Sequence, residues 1–354
     1  MTQNLSGTDA VMPSASFEDI KTSKRGTAMP LIGSSFEPGQ AKQIVNGMQD
    51  PEQRAIAQAE RFYFSGCAEE CAQIAGQYLE SEDIALRLSA CLLYTFSNLT
   101  LGDVAAAQRG RAGIEQVREI PDGELSEELL AFRIFASYLN SVLLHIEPEG
   151  LPPREASTRY LSPGLRLYAA YILAHQVYLD GEYERAMGMA QSALMLAPGP
   201  YPIAMIYLYC VVSMCQINRK QIEAAKESFM KGWNMAKADG FLEPFIEHHG
   251  LFQGVLESCI RKSEPHLYKE LMNGVIAFSR GWMKIHNPVT QKQVTDLLSP
   301  MEFAVAMLAC RDWTNQEIAD HLGLSANTVK HYVSAILEKL HVDKRDKLKA
   351  YVNQ

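Results

Sequence analysis

Apolar residues recur at helical spacing through most of this chain, and the pattern is clearest near its C-terminal end. Five of them fall at i, i+4, i+7, i+8 and i+11 and would share one helix face: Val329, Val333, Ile336, Leu337 and Leu340. The opposite face is polar and carries Asn327, Lys330, His331 and Ser334. The pattern predicts a helix from about residue 325 to residue 340 that packs by one side and leaves the other side free to bind a partner.

Two more helices are predicted immediately upstream by their capping residues. Ser299 is followed by Pro300 and then by Glu302, and Thr314 is followed at the same spacing by Glu317. In such a capping box the first side chain accepts a hydrogen bond from the backbone N–H three residues on, and the acid accepts one in return. We therefore expect a helix to begin at each place.

The link between the second and third helices has the composition of a tight turn. Ala319 is small enough to let two helices cross closely, and Gly323 suits a reversal of the chain. Leu324 then returns an apolar side chain to the core, and Ser325 can cap the next helix. Residues 299–354, called the HTH segment below, are thus predicted to form a helix-turn-helix.

The HTH segment resembles the LuxR-type DNA-binding domain. The resemblance rests on five places in the sequence: Glu302, residues 314–319 (TNQEIA), residues 328–330 (TVK), residues 336–340 (ILEKL) and Val342. It covers about a sixth of the chain. It implies a four-helix domain that binds double-stranded DNA and regulates transcription, with RNA polymerase as a further partner.

The resemblance also implies which side chains meet the DNA. Lys330, His331 and Ser334 would face the bases, and Asn327 shares their outer face. Four other residues would face phosphates: Thr314, Ser325, Thr328 and Lys344. The chain departs from the family at Tyr332, where members usually have histidine, and at His331, where they usually have a small or variable residue. Either His331 or Tyr332 could therefore make the base contact.

Formal charge limits how one HTH segment could bind DNA. Its seven basic and seven acidic residues cancel, so the net charge of -8 lies in the remainder of the chain. Nonspecific attraction to phosphate should be weak, and two copies on a two-fold site would compensate. The resemblance implies that the last helix, from about Asp343 to Val352, pairs the two domains, so we expect a homodimer on DNA.

The region before the HTH segment repeats one motif, a turn that leads into a helix. Its four copies start at Gly66, Gly102, Gly181 and Lys220, at intervals of about 36 to 39 residues if one copy near residues 125–165 has lost its signature. We expect the four copies to form the same local structure.

The copy at Gly181 resembles a tetratricopeptide repeat. An aromatic follows at Tyr183, small residues stand at Ala190 and Ala193, and Pro198 closes the unit. A single helix pair cannot bury its apolar face alone, so such units stack. The fold class expected is all-α: a tetratricopeptide-like helical solenoid followed by a C-terminal four-helix LuxR-type helix-turn-helix domain.

Composition divides the chain into four parts. Residues 1–45, rich in Ser, Thr, Gly and Pro, are expected to be a disordered or loosely packed tail. Residues 46–286, called the helical region below, hold the repeats, and residues 287–298 link them to the HTH segment. The chain shows no export signal and no apolar run long enough to cross a bilayer, and its seven cysteines lack framework spacing. We expect a cytoplasmic protein without membrane contact.

A repeat region of this size with no catalytic signature favours binding of a small-molecule, peptide or protein effector. No phosphate-binding loop is present, and the first 120 residues lack the strand and helix alternation of a receiver domain. We expect no enzyme activity, no cofactor and no metal site, since Cys67 with Cys71 and the pair His248 and His249 lack metal-ligand spacing. The two histidines are interpreted as polar helix surface. The alternative hypothesis is a helical-repeat interaction scaffold that uses the HTH segment as a docking module.

Several aromatic side chains of the helical region could either line a concave binding face or fill the core: Tyr168, Tyr171, Tyr178, Tyr207, Tyr209 and Trp233. Arg159, Arg166 and Arg219 could meet an acidic ligand on the same face. For any single aromatic residue, burial between repeats is the favoured interpretation.

Overall fold

A computed structural model describes residues 26–143, 158–286 and 298–348 of the chain. Within these ranges the chain forms α-helices and short 3-10 turns, and no β-strand. The all-α class predicted from the sequence is confirmed. Residues 287–297 of the predicted linker, and residues 144–157 of the repeat unit expected to lack the motif, lie outside the described residues.

Thirteen described α-helices precede the HTH segment: α1 (Ala41–Gly47), α2 (Pro51–Phe64), α3 (Ala68–Ala75), α4 (Ile84–Leu101), α5 (Val104–Arg118), α6 (Glu127–Leu143), α7 (Pro163–Leu179), α8 (Tyr183–Met195), α9 (Pro202–Asn218), α10 (Ile222–Ala236), α11 (Glu243–Glu247), α12 (Val255–Ile260) and α13 (Pro265–His286). Three follow within it: α14 (Pro300–Cys310), α15 (Asn315–Leu322) and α16 (Ala326–Lys339). A 3-10 turn over Arg345–Leu348 ends the described chain. It falls within the last predicted helix, of which residues 349–352 lie outside the described residues.

Short polar side chains start several of these helices. The Asp50 side chain accepts hydrogen bonds from the backbone N–H groups of Glu52 and Gln53, both at 2.9 Å, and α2 begins at Pro51, directly after Asp50. Asp83 and Asp103 cap α4 and α5 in the same manner. These caps satisfy N–H groups that have no partner inside the helix, which fixes where each helix begins.

The four copies of the turn motif form the same local structure. Gly66, Gly102 and Gly181 have left-handed backbone angles, with φ of 74°, 71° and 81°, and Lys220 has φ of 57°. Each turn joins two helices that pack against each other: α2 with α3, α4 with α5, α7 with α8, and α9 with α10. Glycine adopts this conformation without steric cost, whereas other residues do so rarely. Lys220 is therefore exceptional among the four.

Helix α4 is the one described helix that is long and apolar enough to cross a membrane by length and composition. Inside the fold, 78% of that stretch is buried. It packs against α2, α3, α5, α6 and α13. Its apolar sequence is therefore accounted for by its position in the core.

Most of the aromatic residues whose location the sequence left open belong to the core. Tyr209 is half-buried, whereas five are buried: Tyr168, Tyr171, Tyr178, Tyr207 and Trp233. Tyr63 and Tyr207 both donate hydrogen bonds to the carboxylate of Glu247, the latter at 2.8 Å. The core interpretation is confirmed for the five buried rings.

The interpretation of His248 and His249 as polar helix surface is wrong, because they are only 2% and 5% exposed. His248 Nδ1 lies 2.7 Å from the carbonyl oxygen of Pro244, and His249 Nε2 lies 2.7 Å from Glu257 Oε1. The short helix α11 that precedes them packs against α2, α9 and α13. Contacts with helices distant in sequence thus bury a pair that looks exposed in its local sequence.

Residues 26–40, called the N-terminal segment below, pack into the helical region. Leu31 and Ile32 are 0% and 1% exposed. Their backbone N–H groups donate to the two carboxylate oxygens of Glu60, at 2.7 Å and 3.0 Å. The expected loosely packed tail is therefore wrong for this part of the chain, because a buried acceptor on α2 satisfies its backbone; residues 1–25 lie outside the described residues.

Other contacts hold the same segment along its length. Ser89 Oγ accepts a hydrogen bond from the Met29 N–H at 3.0 Å. Farther along, the Asp239 carboxylate accepts one from Gly39 at 2.7 Å and one from Ala41 at 2.9 Å. The N-terminal segment therefore bridges elements that lie up to 200 residues away in the chain.

Candidate nucleic-acid interface

Both capping boxes predicted in the HTH segment are present. Ser299 Oγ accepts a hydrogen bond from the Glu302 N–H at 3.3 Å, and Glu302 Oε2 accepts one from the Ser299 N–H at 2.7 Å. Thr314 and Glu317 exchange the equivalent bonds at 3.2 Å and 2.6 Å. Helices α14 and α15 begin at these boxes, as the sequence predicts.

The turn between α15 and α16 also has the predicted structure. Gly323 has a φ of 63°, and the Leu324 N–H donates to the carbonyl oxygen of Ala319 at 2.9 Å. Ser325 Oγ accepts a hydrogen bond from the Thr328 N–H at 3.0 Å, which caps α16. The local signals of a helix-turn-helix are therefore confirmed.

Helix α16 presents one face to the core. Val329, Ile336 and Leu340 are buried, and Val333 and Leu337 are half-buried against the same core. The apolar stripe predicted from the sequence packs as expected.

The eight residues predicted to touch DNA lie at the surface of the HTH segment. Thr328 is half-buried, and the other seven are exposed: Thr314, Ser325, Asn327, Lys330, His331, Ser334 and Lys344. Tyr332 is half-buried and packs against the core. The polar face of α16 is thus accessible, and His331 rather than Tyr332 lies on it.

Two basic residues near the end of the segment have structural roles that the sequence did not reveal. Lys339 Nζ lies 2.7 Å from both carboxylate oxygens of Glu302. Arg345 Nε donates to the carbonyl oxygen of Ala309 at 3.2 Å, and its guanidinium also donates to Asn315 Oδ1 at 3.0 Å and to the Trp313 carbonyl. These two charges are therefore used to hold the domain together.

Hydrogen bonding sets the charge state of the two capping acids. Burial raises the pKa of the Glu302 carboxyl, but hydrogen bonds from Lys339 and Ser299 outweigh that effect and hold the pKa below its usual value. The backbone N–H of Thr314 lowers the pKa of Glu317. Both carboxylates are ionised at neutral pH and remain good acceptors for their helix ends.

The HTH segment docks onto the helical region through the end of α15. His321 Nε2 donates to the backbone carbonyl oxygen of Gln253 at 2.9 Å, and Arg261 donates to the carbonyl oxygen of Leu322 at 3.2 Å. His321 and Leu322 are 2% and 1% exposed. Burial lowers the pKa of His321, so its ring is neutral near pH 7 and Nε2 carries the hydrogen that this bond requires.

A glycine makes this close approach possible. Gly254 has a φ of 85°, and a Cβ at that position would lie 2.4 Å from Leu322 Cδ2. Position 254 therefore favours glycine both for its backbone angle and for the space beside it. No motif in the sequence indicated this contact, because its two sides are far apart in the chain.

A second contact joins the two parts at the other end of α15. Lys220 Nζ lies 3.5 Å from Glu317 Oε1 and 5.6 Å from the centre of the Trp313 ring. Lys220 occupies the left-handed turn between α9 and α10. The helical region therefore places a cation beside the start of α15.

Comparison with known proteins agrees with this geometry. Residues 296–352 match the family described as "Bacterial regulatory proteins, luxR family". The C-terminal part of this chain is a luxR-family helix-turn-helix domain. The chain is also 42% identical over 67 residues to the two-component response regulator PprB of Pseudomonas aeruginosa.

That similarity covers 17% of this chain and 24% of the Pseudomonas protein, so the chain spans about a quarter of that relative. No solved structure matches the chain. The luxR-family match therefore concerns residues 296–352 and relates this part of the chain to bacterial regulatory proteins.

Proposed function

We propose that this protein is a sequence-specific, DNA-binding transcription regulator of the LuxR family and that α16 is its reading helix. The observation that carries the proposal is the division of α16 into two faces. One face is buried through Val329 and Ile336, and the other exposes Lys330, His331 and Ser334. A polar, outward helix face anchored by an apolar one suits the edges of bases in a major groove.

Each exposed side chain has a role in this proposal. Lys330 donates to the acceptor atoms of a guanine, and Asn327, His331 and Ser334 contact neighbouring base edges. Four residues fix the register of the domain by contacting phosphates: Thr314, Ser325, Thr328 and Lys344. Contacts to phosphates carry no sequence information and add affinity for any duplex.

The active species is a homodimer on DNA. The HTH segment is formally neutral, and Lys339 and Arg345 are engaged within the domain, so one copy attracts phosphate weakly. Two copies on a two-fold symmetric site add their half-site affinities. The bound dimer then contacts RNA polymerase.

The helical region acts as the sensing part. Its paired helices are proposed to stack as a tetratricopeptide-like solenoid that binds a small-molecule, peptide or protein effector, as repeat architectures of this kind provide extended binding surfaces. An effector can change DNA binding by the HTH segment only if it has different affinities for the arrangements of the chain that can bind DNA and those that cannot. We propose that the protein is cytoplasmic and that it acts without a cofactor.

The proposal is tested by selecting binding sites for the purified full chain from random double-stranded DNA. We expect one enriched motif with two-fold symmetry, and genome-wide mapping of bound DNA should find that motif upstream of genes. Enrichment of no sequence, together with recovery of a stable protein partner through the HTH segment, would favour an interaction scaffold instead.

A further inference from the structure

Lys220 adopts a left-handed backbone conformation, which is unfavourable for a residue other than glycine. At the three equivalent turns the left-handed residue is glycine, whereas Lys220 has a φ of 57°. A residue with a Cβ is sterically disfavoured in this region. Lysine occupies this turn in spite of the steric cost that glycine avoids, so the contacts of its side chain are of interest.

The side chain of Lys220 reaches the edge of the HTH segment that is proposed to face phosphate. Its Nζ is 3.5 Å from Glu317 Oε1, and the other oxygen of that carboxylate accepts the Thr314 N–H at 2.6 Å. The Lys220 side chain is 52% exposed, so it can also reach outward. A positive charge from the helical region thus lies beside Thr314.

Docking through the far end of α15 keeps this charge in place without covering the reading helix. The contact uses Gln253, Gly254 and Arg261 on one side and His321 and Leu322 on the other. All the side chains of α16 proposed to face bases remain exposed in this arrangement. The docked form therefore leaves the outer face of α16 open for a duplex.

We propose that the helical region forms part of the DNA-binding surface and that Lys220 contacts a phosphate next to the one bound by Thr314. The inference rests on the proposed function of α16 as the reading helix. Glu317 alone would place a negative charge near that phosphate, and Lys220 offsets it. The contact would supply charge that the formally neutral HTH segment lacks.

The test is the salt dependence of binding by the full chain to the DNA site that the unmodified chain selects. Lys220→Ala should make the slope of log affinity against log salt concentration shallower by about 1.8, because the proposed homodimer loses one phosphate contact from each of its two copies. Base preferences should not change, since phosphate contacts carry no sequence information. A Lys220→Ala slope equal to that of the unmodified chain would overturn the inference.

Arg109→Ala is the matched control. Arg109 lies on α5, its side chain is 62% exposed, and it pairs with Glu80 at 3.4 Å, much as Lys220 pairs with Glu317. The substitution removes the same charge from the helical region and should leave the slope unchanged. If both variants change the slope equally, the effect is one of net charge and the specific contact is ruled out.

A second pair of variants tests whether docking positions Lys220. Gly254→Asn keeps a residue that tolerates a left-handed backbone but places a Cβ against Leu322. Gly181→Asn is its control, because Gly181 has a similar φ of 81° and nothing within 4 Å of the added Cβ. Release of the HTH segment is measured by faster amide hydrogen exchange at Leu322 and Leu324.

In the Gly254→Asn background, Lys220→Ala should cause no further change in slope. Arg261→Ala, which removes the donor to the Leu322 carbonyl, is a second undocking variant in case the first folds poorly. A full Lys220 effect in a chain shown to be undocked would contradict positioning by the helical region. Failure of the unmodified chain to select any DNA would overturn the proposed function and this inference together, whereas selection with an unchanged Lys220→Ala slope would overturn this inference alone.

Discussion

Lys339 Nζ lies 2.7 Å from both carboxylate oxygens of Glu302, so the last turn of α16 is tied to the first turn of α14. The same carboxylate also accepts the Ser299 N–H. One acid therefore caps α14 and also anchors the last turn of α16.

Lys339→Ala should lower the free energy of unfolding of the HTH segment by about 1 kcal/mol at pH 7. The value is modest because Lys339 is partly exposed. The pKa of Glu302 is lowered in the folded state, so the stability from this carboxylate is present above its unfolded pKa and is lost as pH falls through the lowered value. Amide hydrogen exchange of α14 measures the loss. Lys231→Ala, which breaks an exposed pair with Glu227, should leave the exchange of α14 unchanged, and an equal effect of both variants would contradict the prediction.

Lys330→Ala should cost about 1 to 3 kcal/mol of binding free energy and relax the preference at one position of each half-site. Binding to the selected site and to single-base variants of that site measures both effects. Lys344→Ala is the comparison: it should weaken binding to all sequences alike, because Lys344 is proposed to contact phosphate. If Lys330→Ala leaves base preference intact, Lys330 does not read a base.

Footprints on the selected DNA should show two protected half-sites about 10 base pairs apart. Charge reversal by Lys347→Glu with Lys349→Glu, in the predicted pairing helix, should weaken binding by roughly tenfold and favour protection of one half-site. Lys42→Glu with Lys231→Glu makes the same charge change at two exposed positions of the more N-terminal helices and is the control. An unaltered footprint in the first variant would argue against pairing through the last helix.

Burial raises the pKa of Glu60 to about 8, although the N–H groups of Leu31 and Ile32 oppose the shift. Because this acid binds its proton more tightly when folded, its contribution to stability is complete below the unfolded pKa and is lost as pH rises through 8. Glu60→Gln should reduce the difference in unfolding free energy between pH 5.5 and pH 8 by about 2 kcal/mol. Urea unfolding at both pH values measures it, with the exposed Glu82→Gln as control; equal differences in all three proteins would show that Glu60 titrates normally.

The helix-turn-helix could be predicted from the sequence because its signals are local. Ser299, Thr314, Gly323 and Ser325 act within four residues of their own positions, so the sequence alone locates each helix start and the turn. The exposed face of α16 followed from helical periodicity for the same reason.

The remaining features depend on contacts between residues that are distant in the chain. His321 meets Gln253 across 68 residues, and nothing near either residue indicates the bond. Arg345, for which the sequence predicted no contact, donates a hydrogen bond to the carbonyl oxygen of Ala309, 36 residues earlier. The composition of the N-terminal segment predicts a loosely packed tail. The acceptor of its hydrogen bonds, Glu60, lies outside the segment on α2, so that composition cannot reveal the packing.

The hydrogen bond between Gly39 and Asp239 has a consequence for folding during translation. Asp239 is made 200 residues after Gly39, a delay of about 10 to 40 s at ordinary rates of translation. Leu31 and Ile32 can bind Glu60 soon after α2 is made, whereas the backbone N–H groups of Gly39 and Ala41 have no Asp239 carboxylate to bind until α10 has been synthesised. The C-terminal end of the N-terminal segment therefore completes its packing late in synthesis, and nascent chains stalled before Asp239 should be cleaved by proteases near Gly39 more readily than the finished chain.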